Sequence, residues 1–168
     1  FSNFYGATSG SFGIHLRDCK NSSVKTSKFD MIEANTNGVV GDDVGSSRGI
    51  LFTDTTESII ESCEFDRIVS ADDGDAVHIA SSVNTQQAFF GNITIRNNMF
   101  KNVSRSAIKI QQSGVLINDN EFVSTDTLEY YIRSYASNVT IENNRFIGNV
   151  QIPIFIGSNN IDLYAHHI

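Results

Sequence analysis

The chain is 168 residues long, enough for one ordinary domain or a slice of a larger repetitive one, and its 40% hydrophobic and 18% charged residues suit a packed core rather than disorder. Twelve Lys and Arg face nineteen Asp and Glu, a net charge of −7 that argues against nucleic acid as a partner. No apolar run approaches the ~18 residues of a bilayer span, so no membrane insertion is expected, and one Pro, no Trp and abundant Asn, Ser, Thr and Gly suit short strands and tight turns.

In chain order the apolar pattern is one unit repeated. Phe4 takes the anchor place of a first coil whose beginning is missing, and a copy ending at Phe29 follows, with Val24 five places before it. Cys19 lies in this stretch and Cys63 in the next; two cysteines make no disulfide framework and read as small buried apolar side chains. The stretch 35–48, carrying Asp42 and Asp43, leads into a core strand at 50–52, and the next copy ends at Phe65 with Ile60 five places earlier. A second acidic stretch, 70–75, holds Asp72, Asp73 and Asp75 and leads into the strand 77–79. After a surplus segment at 82–91 come the three clearest copies, NITIRNNMF ending at Phe100, GVLINDNEF ending at Phe122 and NVTIENNRF ending at Phe146. Past them, Ile161, Leu163 and Ile168 keep the same register.

Aligned on the Phe, the residues fall into columns. Ile93, Val115 and Val139 stand seven places before it; Ile95, Ile117 and Ile141 five before; Asn98, Asn120 and Asn144 two before. Anchor spacings are 25, 36, 35, 22, 24 and 22 residues. Alternation such as Ile93/Ile95 and Ile108/Ile110 is the two-residue period of a strand with one buried face. Strands stacked coil upon coil pair at ~4.8 Å, so each column becomes a vertical stack. The Phe residues are expected inside, and the Asn residues as a ladder at a turn where Asn tolerates a left-handed backbone.

The h-x-h-x-x-Asn-x-Phe pattern (h is Ile or Val) resembles the pectate-lyase-like right-handed parallel β-helix of phage tailspikes and other polysaccharide-acting proteins. The fold class expected from it is all-β, a right-handed single-stranded parallel β-helix. This solenoid of about six coils covers residues 1–168 and is a fragment of a longer helix without caps. Handedness comes from the resemblance and the rule for parallel crossovers.

Extra residues in a regular coil are the informative ones, because long loops on a rigid scaffold carry function. The acidic stretches 35–48 and 70–75 precede neighbouring core strands and are expected side by side. The column after Ile14, Ile50, Val77, Ile108, Ile132 and Ile154 reads His15, Leu51, His78, Lys109, Arg133 and Phe155. Period two sends it outward, giving a basic stripe of His78, Lys109 and Arg133 that Asp72, Asp73, Asp75, Asp126 and Glu129 are placed to compensate. Tyr130, Tyr131 and Tyr135 lie beside the stripe, where exposed rings stack on sugar faces; Tyr131 is equally well placed to pack inside. The sequons at Asn21, Asn92, Asn102 and Asn138 read as coincidence in a chain this rich in Asn and Ser. No His spacing resembles a metal site.

Paired carboxyls are the equipment of glycoside hydrolysis. Asp73, Asp75, Glu129 and Asp72 are the candidate catalytic residues, and His78, Lys109, Arg133, Asp43 and Tyr130 the candidate substrate-binding ones, with no metal and no cofactor. Asp75 and Glu129 precede strands two coils apart, ~9.6 Å by stacking. The DDGDAVHI run is also similar to the polygalacturonase strand with its Asp-Asp pair, and AIKI to that family's basic strand. Asp73, Asp75 and Lys109 keep loosely comparable places, while the Asn-Thr-Asp and Gly-His-Gly segments of that family are absent. The resemblance implies a phage tailspike depolymerase, a homotrimer on a virion tail or a secreted protein, acting on bacterial surface polysaccharide. The alternatives are a polysaccharide lyase with a Lys, Arg or His base, and a non-catalytic glycan-binding or structural β-helix.

Overall fold

The computed structural model describes residues 2–6, 10–34, 45–70, 73–82 and 90–157, with the backbone alone at 2–6 and 126–127. The expectations for Asp42, Asp43, Asp72, Ile161, Leu163 and Ile168 fall outside the described residues, as does the Asp126 side chain.

Fifteen strands follow one another: β1 (Ser2–Gly6), β2 (Ser11–Arg17), β3 (Ser23–Lys25), β4 (Lys28–Ala34), β5 (Ser47–Thr53), β6 (Ile59–Glu61), β7 (Glu64–Ser70), β8 (Gly74–Ala80), β9 (Phe90–Arg96), β10 (Met99–Val103), β11 (Ser106–Ile110), β12 (Ser113–Asn118), β13 (Glu121–Ser134), β14 (Val139–Glu142) and β15 (Arg145–Ile156). No described residue is helical, and the strand pairings are parallel. Strands β3, β6, β9, β12 and β14 make one sheet. The other ten-stranded sheet runs β1-β4-β7-β10-β13-β11-β8-β5-β2, with β15 beside β13. Strand β13 joins two limbs of it: residues 121–123 pair with β10 and residues 130–134 with β11. Successive rounds of chain therefore add strands to three stacks, an all-β arrangement compatible with a parallel β-helix.

The columns read from the sequence are in register. Phe29, Phe65, Phe100 and Phe122 are successive Cα partners, and Phe146 follows Phe122. Their rings stack with centroids 4.9, 4.9, 4.9 and 5.0 Å apart. Gly49 faces this column because nothing larger fits: a Cβ there would lie 2.8 Å from the Phe65 ring and 2.7 Å from the Ala76 carbonyl oxygen. Two rounds on from Ala76 the same place holds Tyr131, buried, tilted against Phe122 and Phe146, with its hydroxyl donating to the Ile147 carbonyl at 2.5 Å.

The Asn ladder is also present. Asn98 Nδ2 donates to Asn120 Oδ1 and Asn120 Nδ2 to Asn144 Oδ1, both at 3.0 Å. Each amide also donates across to a carbonyl of the neighbouring strand stack, Asn98 to Ile60, Asn120 to Ile95 and Asn144 to Ile117.

Three expectations are corrected. Phe4 pairs with Ile32, not with Phe29, so it stands three places past the anchor; a lone aromatic without the flanking h-x-h pattern fixes no register. The left-handed residues are not the ladder Asn but those just before them: Thr26, Ser62, Asn97, Asp119 and Asn143, with φ of 49–56°. Left-handed backbone recurs eight places before the Phe (Asn21, Glu57, Asn92, Gly114, Asn138) and two after it (Met31, Arg67, Asn102, Gly148), so the turns come every five residues. These corners also account for the asparagines of all four sequons, since Asn is the side chain that best tolerates this backbone. Cys63 is buried but Cys19 is half-exposed, and both are free thiols. Cys63 occupies the ladder place one coil before Asn98, and its Sγ donates to the Val24 carbonyl as the Asn amides do to theirs.

Candidate functional site

The site is built on β8 and its neighbours. Register places Leu51, His78, Lys109, Arg133 and Phe155 in one column, as the alternation predicts, while Val77, Ile108 and Ile132 face the core. The expected outward exposure is corrected, because His78 and Lys109 are only 6% and 7% exposed. Period two sets which face a side chain takes, and here that face is itself covered. Asp43 and Asp72 lie outside the described residues.

Asp73 is the hub. Its Oδ2 lies 2.7 Å from Lys109 Nζ and 3.4 Å from Arg48 Nη2, and its Oδ1 lies 3.1 Å from Arg105 Nη1. Burial pushes its carboxyl up, but Lys109, Arg48 and Arg105 outweigh that and hold it below the usual carboxylate range. Arg105 Nε reaches Glu129 Oε2 at 3.2 Å, so one guanidinium bridges Asp73 to Glu129. Three cations stacked on one ionised carboxylate answer the repulsion expected along the column.

Asp75 differs from Asp73 although it stands two residues away. It is fully buried, and neither carboxyl oxygen has a hydrogen-bond partner; Lys109 Nζ and His78 Nδ1 stand 4.0 and 3.8 Å from Oδ2. Burial pushes it up to about 6, against the pull of Lys109 and helped by the charge of Asp73. Its strand neighbours are Arg48 and Ser106.

His78 is a neutral link rather than a cation. Arg48 Nε donates to its Nδ1 at 2.8 Å, so its proton sits on Nε2, which faces Gln111 Oε1 at 2.8 Å. Burial, with the charges of Arg48 and Lys109, pushes its pKa down to about 3. Of the expected basic stripe, only Lys109 and Arg133 therefore carry charge.

Arg133 lies over two rings, 5.3 Å from the Tyr130 centroid and 4.9 Å from that of Tyr135. The Tyr130 hydroxyl is raised chiefly by its hydrogen bond to Glu129. The charged network therefore continues without a break from Asp73 through Arg105 and Glu129 to Tyr130 and Arg133.

Arg48, Arg105 and Gln111 belong to the site, and the sequence reading missed them. Arg48 is level with Asp75 near the start of β5 and Arg105 stands just before β11, one place ahead of that level, and that position was the available signal. Among the described residues no three His, Cys, Asp or Glu side chains converge as metal ligands. The chemistry on offer is that of an ionised carboxylate, an enclosed carboxyl beside it that burial raises to about 6, a bridged and half-exposed Glu129, and an aromatic-backed arginine. Comparison with family models, curated proteins and solved structures gives no match to this chain.

Proposed function

We propose that the chain is a right-handed, single-stranded parallel β-helix of the pectate-lyase-like kind, and that the Asp73 face serves glycoside hydrolysis of a polysaccharide. The observation that carries the reading is the pair of carboxylates that Arg105 bridges, Asp73 at 3.1 Å and Glu129 at 3.2 Å. Lys109, Arg48 and Arg105 hold the Asp73 carboxyl below the usual carboxylate range. Glu129, with a side chain 37% exposed, is the carboxylate most open to a substrate, and Arg105 ties it to Asp73. In this proposal Glu129 meets the glycosidic oxygen or the attacking water, Asp73 and its cations fix the local field, and Tyr130 binds sugar hydroxyls. The setting that goes with the resemblance is a homotrimeric phage tailspike or secreted depolymerase acting on bacterial surface glycans.

The enclosure of Asp75 supports a second reading, a glycan-binding or structural β-helix without turnover, because a carboxyl with no exposed surface does not touch a polymer. A lyase is less favoured, since Lys109 is committed to Asp73 at 2.7 Å and His78 to Arg48 and Gln111. Reducing-end release from a panel of capsular and O-antigen polysaccharides tests the proposal. Hydrolysis predicts reducing ends without the short-wavelength ultraviolet absorbance of an unsaturated sugar, and a loss of about 10³-fold or more in Glu129→Gln or Asp73→Asn with the fold retained. Activity unchanged in both variants contradicts it, and an unsaturated product moves the assignment to a lyase.

A further inference from the structure

Asp73 and Glu129 hold cations at 2.7–3.4 Å, yet both oxygens of Asp75 are enclosed between them with no hydrogen-bond partner among the described residues. The charged and titratable groups around Asp75 are already engaged. Arg48, level with it on β5, gives its Nε to His78 and lies 3.4 Å from Asp73 through Nη2. His78, on the same strand as Asp75, stands 3.8 Å from Oδ2, but the nitrogen nearest it, Nδ1, accepts from Arg48 and has no proton to give. Arg105, just before β11, bridges Asp73 to Glu129. On β13, Tyr130 is bonded to Glu129 and Arg133 lies on two rings. Lys109, on β11, is shared: its Nζ sits 2.7 Å from Asp73 Oδ2 and 4.0 Å from Asp75 Oδ2, and with the residue only 7% exposed it has little path to solvent.

An enclosed carboxyl stays neutral above the ordinary aspartate range, because burial penalises its charged form. Once ionised it needs donors, since an unpaired buried charge is far costlier than a paired one. Bringing Lys109 Nζ from 4.0 Å to hydrogen-bond length is a shift of about 1 Å. Ser106, level with Asp75 on β11, has an enclosed and unpartnered hydroxyl that supplies a second donor by turning about one bond. We propose that Asp75 and Lys109 form a proton-operated cap on Asp73. With Asp75 neutral, Lys109 covers Asp73 Oδ2; with Asp75 ionised, Lys109 is drawn onto Asp75 and leaves Asp73 Oδ2 to Arg48. One proton passes from Asp75 to solvent and no covalent bond changes. In neither position is Lys109 free to act as a base. Uncapping Asp73 as pH rises regulates the face proposed for hydrolysis and rests on that reading for its purpose, whereas the exchange itself needs no substrate.

A carbon-13 carboxyl titration of the labelled chain, with crystal structures at about pH 4.5 and about pH 7.5, tests the cap. Asp75 is expected to lose its proton at about 6. Lys109 Nζ is expected within about 3 Å of Asp73 in the acid structure, and within about 3 Å of Asp75 and no longer hydrogen-bonded to Asp73 in the other. Asp75→Asn, which cannot ionise, is expected to keep Lys109 on Asp73 in both. An Asp75 that titrates in the ordinary aspartate range overturns the cap, and so does a Lys109 still bonded to Asp73 in the parent at the higher pH. If circular dichroism shows that Asp75→Asn does not fold, the two parent structures decide. An exchange in a chain that cleaves nothing keeps the cap and loses the hydrolase; cleavage by a chain whose Lys109 never moves does the reverse.

Discussion

Thr26 stands at φ 49° on an exposed corner, a β-branched residue in the conformation that Gly and Asn take most readily. The equivalent place holds Asn97, Asp119 and Asn143 in later coils. Thr26→Asn is expected to stabilise the chain by roughly 0.5–1 kcal/mol, seen as a higher urea midpoint with unchanged slope. Opposite pH signatures belong to two buried groups of the site. Folded Asp75, at about 6, holds its proton more tightly than an unfolded aspartate, so its contribution is whole below about pH 4 and is lost as pH rises through 6. Asp75→Asn, which cannot ionise, should therefore be more stable than the parent at pH 7, by about 3 kcal/mol if the full shift is recovered, and gain nothing near pH 3.5. Folded His78, at about 3, resists protonation, so its contribution is present above pH 6.5 and is lost as pH falls toward 3. Chemical denaturation of His78→Gln across that window should show a shallower acid decline than the parent.

At the scale of elements, the strands are held together by repeated columns, and the ladder is the one with the most hydrogen bonds per residue. Asn120 accepts from the backbone and side chain of Asn98 and donates to Ile95, Asn118 and Asn144. Its truncation to Ala strands several buried partners at about 1–3 kcal/mol each, so a loss of about 3 kcal/mol or more in urea unfolding is expected. Cys63 makes longer, weaker bonds at 3.4 and 3.6 Å in the same place, and Cys63→Ala should cost less than Asn120→Ala. The ladder and the Phe stack were legible in the sequence because each needs one residue type at a fixed spacing. The corners were not. At the turn two after the Phe, Met31, Arg67, Asn102 and Gly148 share a positive φ but no side-chain chemistry, so nothing repeated there in the letters. Phe4 was misplaced for the related reason that one residue carries no column.

Across the whole molecule, three stacks bring residues from separate coils onto one face, and this explains which parts of the site could be read beforehand. His78, Lys109 and Arg133 follow from register alone, and the structure places them in successive strands. Their burial, the neutrality of His78 and the cations of Arg48 and Arg105 depend on side chains reaching across columns, which period-two reasoning does not encode. The same register governs every column, and a pair of cysteines reads it out in solution. Leu116 and Thr140 are Cα partners on the outer face of the five-stranded sheet, as are Asn118 and Glu142 two residues on. Direct partners lie ~4.8 Å apart, within disulfide reach, whereas a two-residue offset exceeds the ~7 Å limit. Under mild oxidation Leu116→Cys/Thr140→Cys should close its disulfide without loss of thermal stability, and Leu116→Cys/Glu142→Cys should remain reduced by mass spectrometry. Closure of the offset pair in preference to the matched one would contradict the stacking on which the face depends.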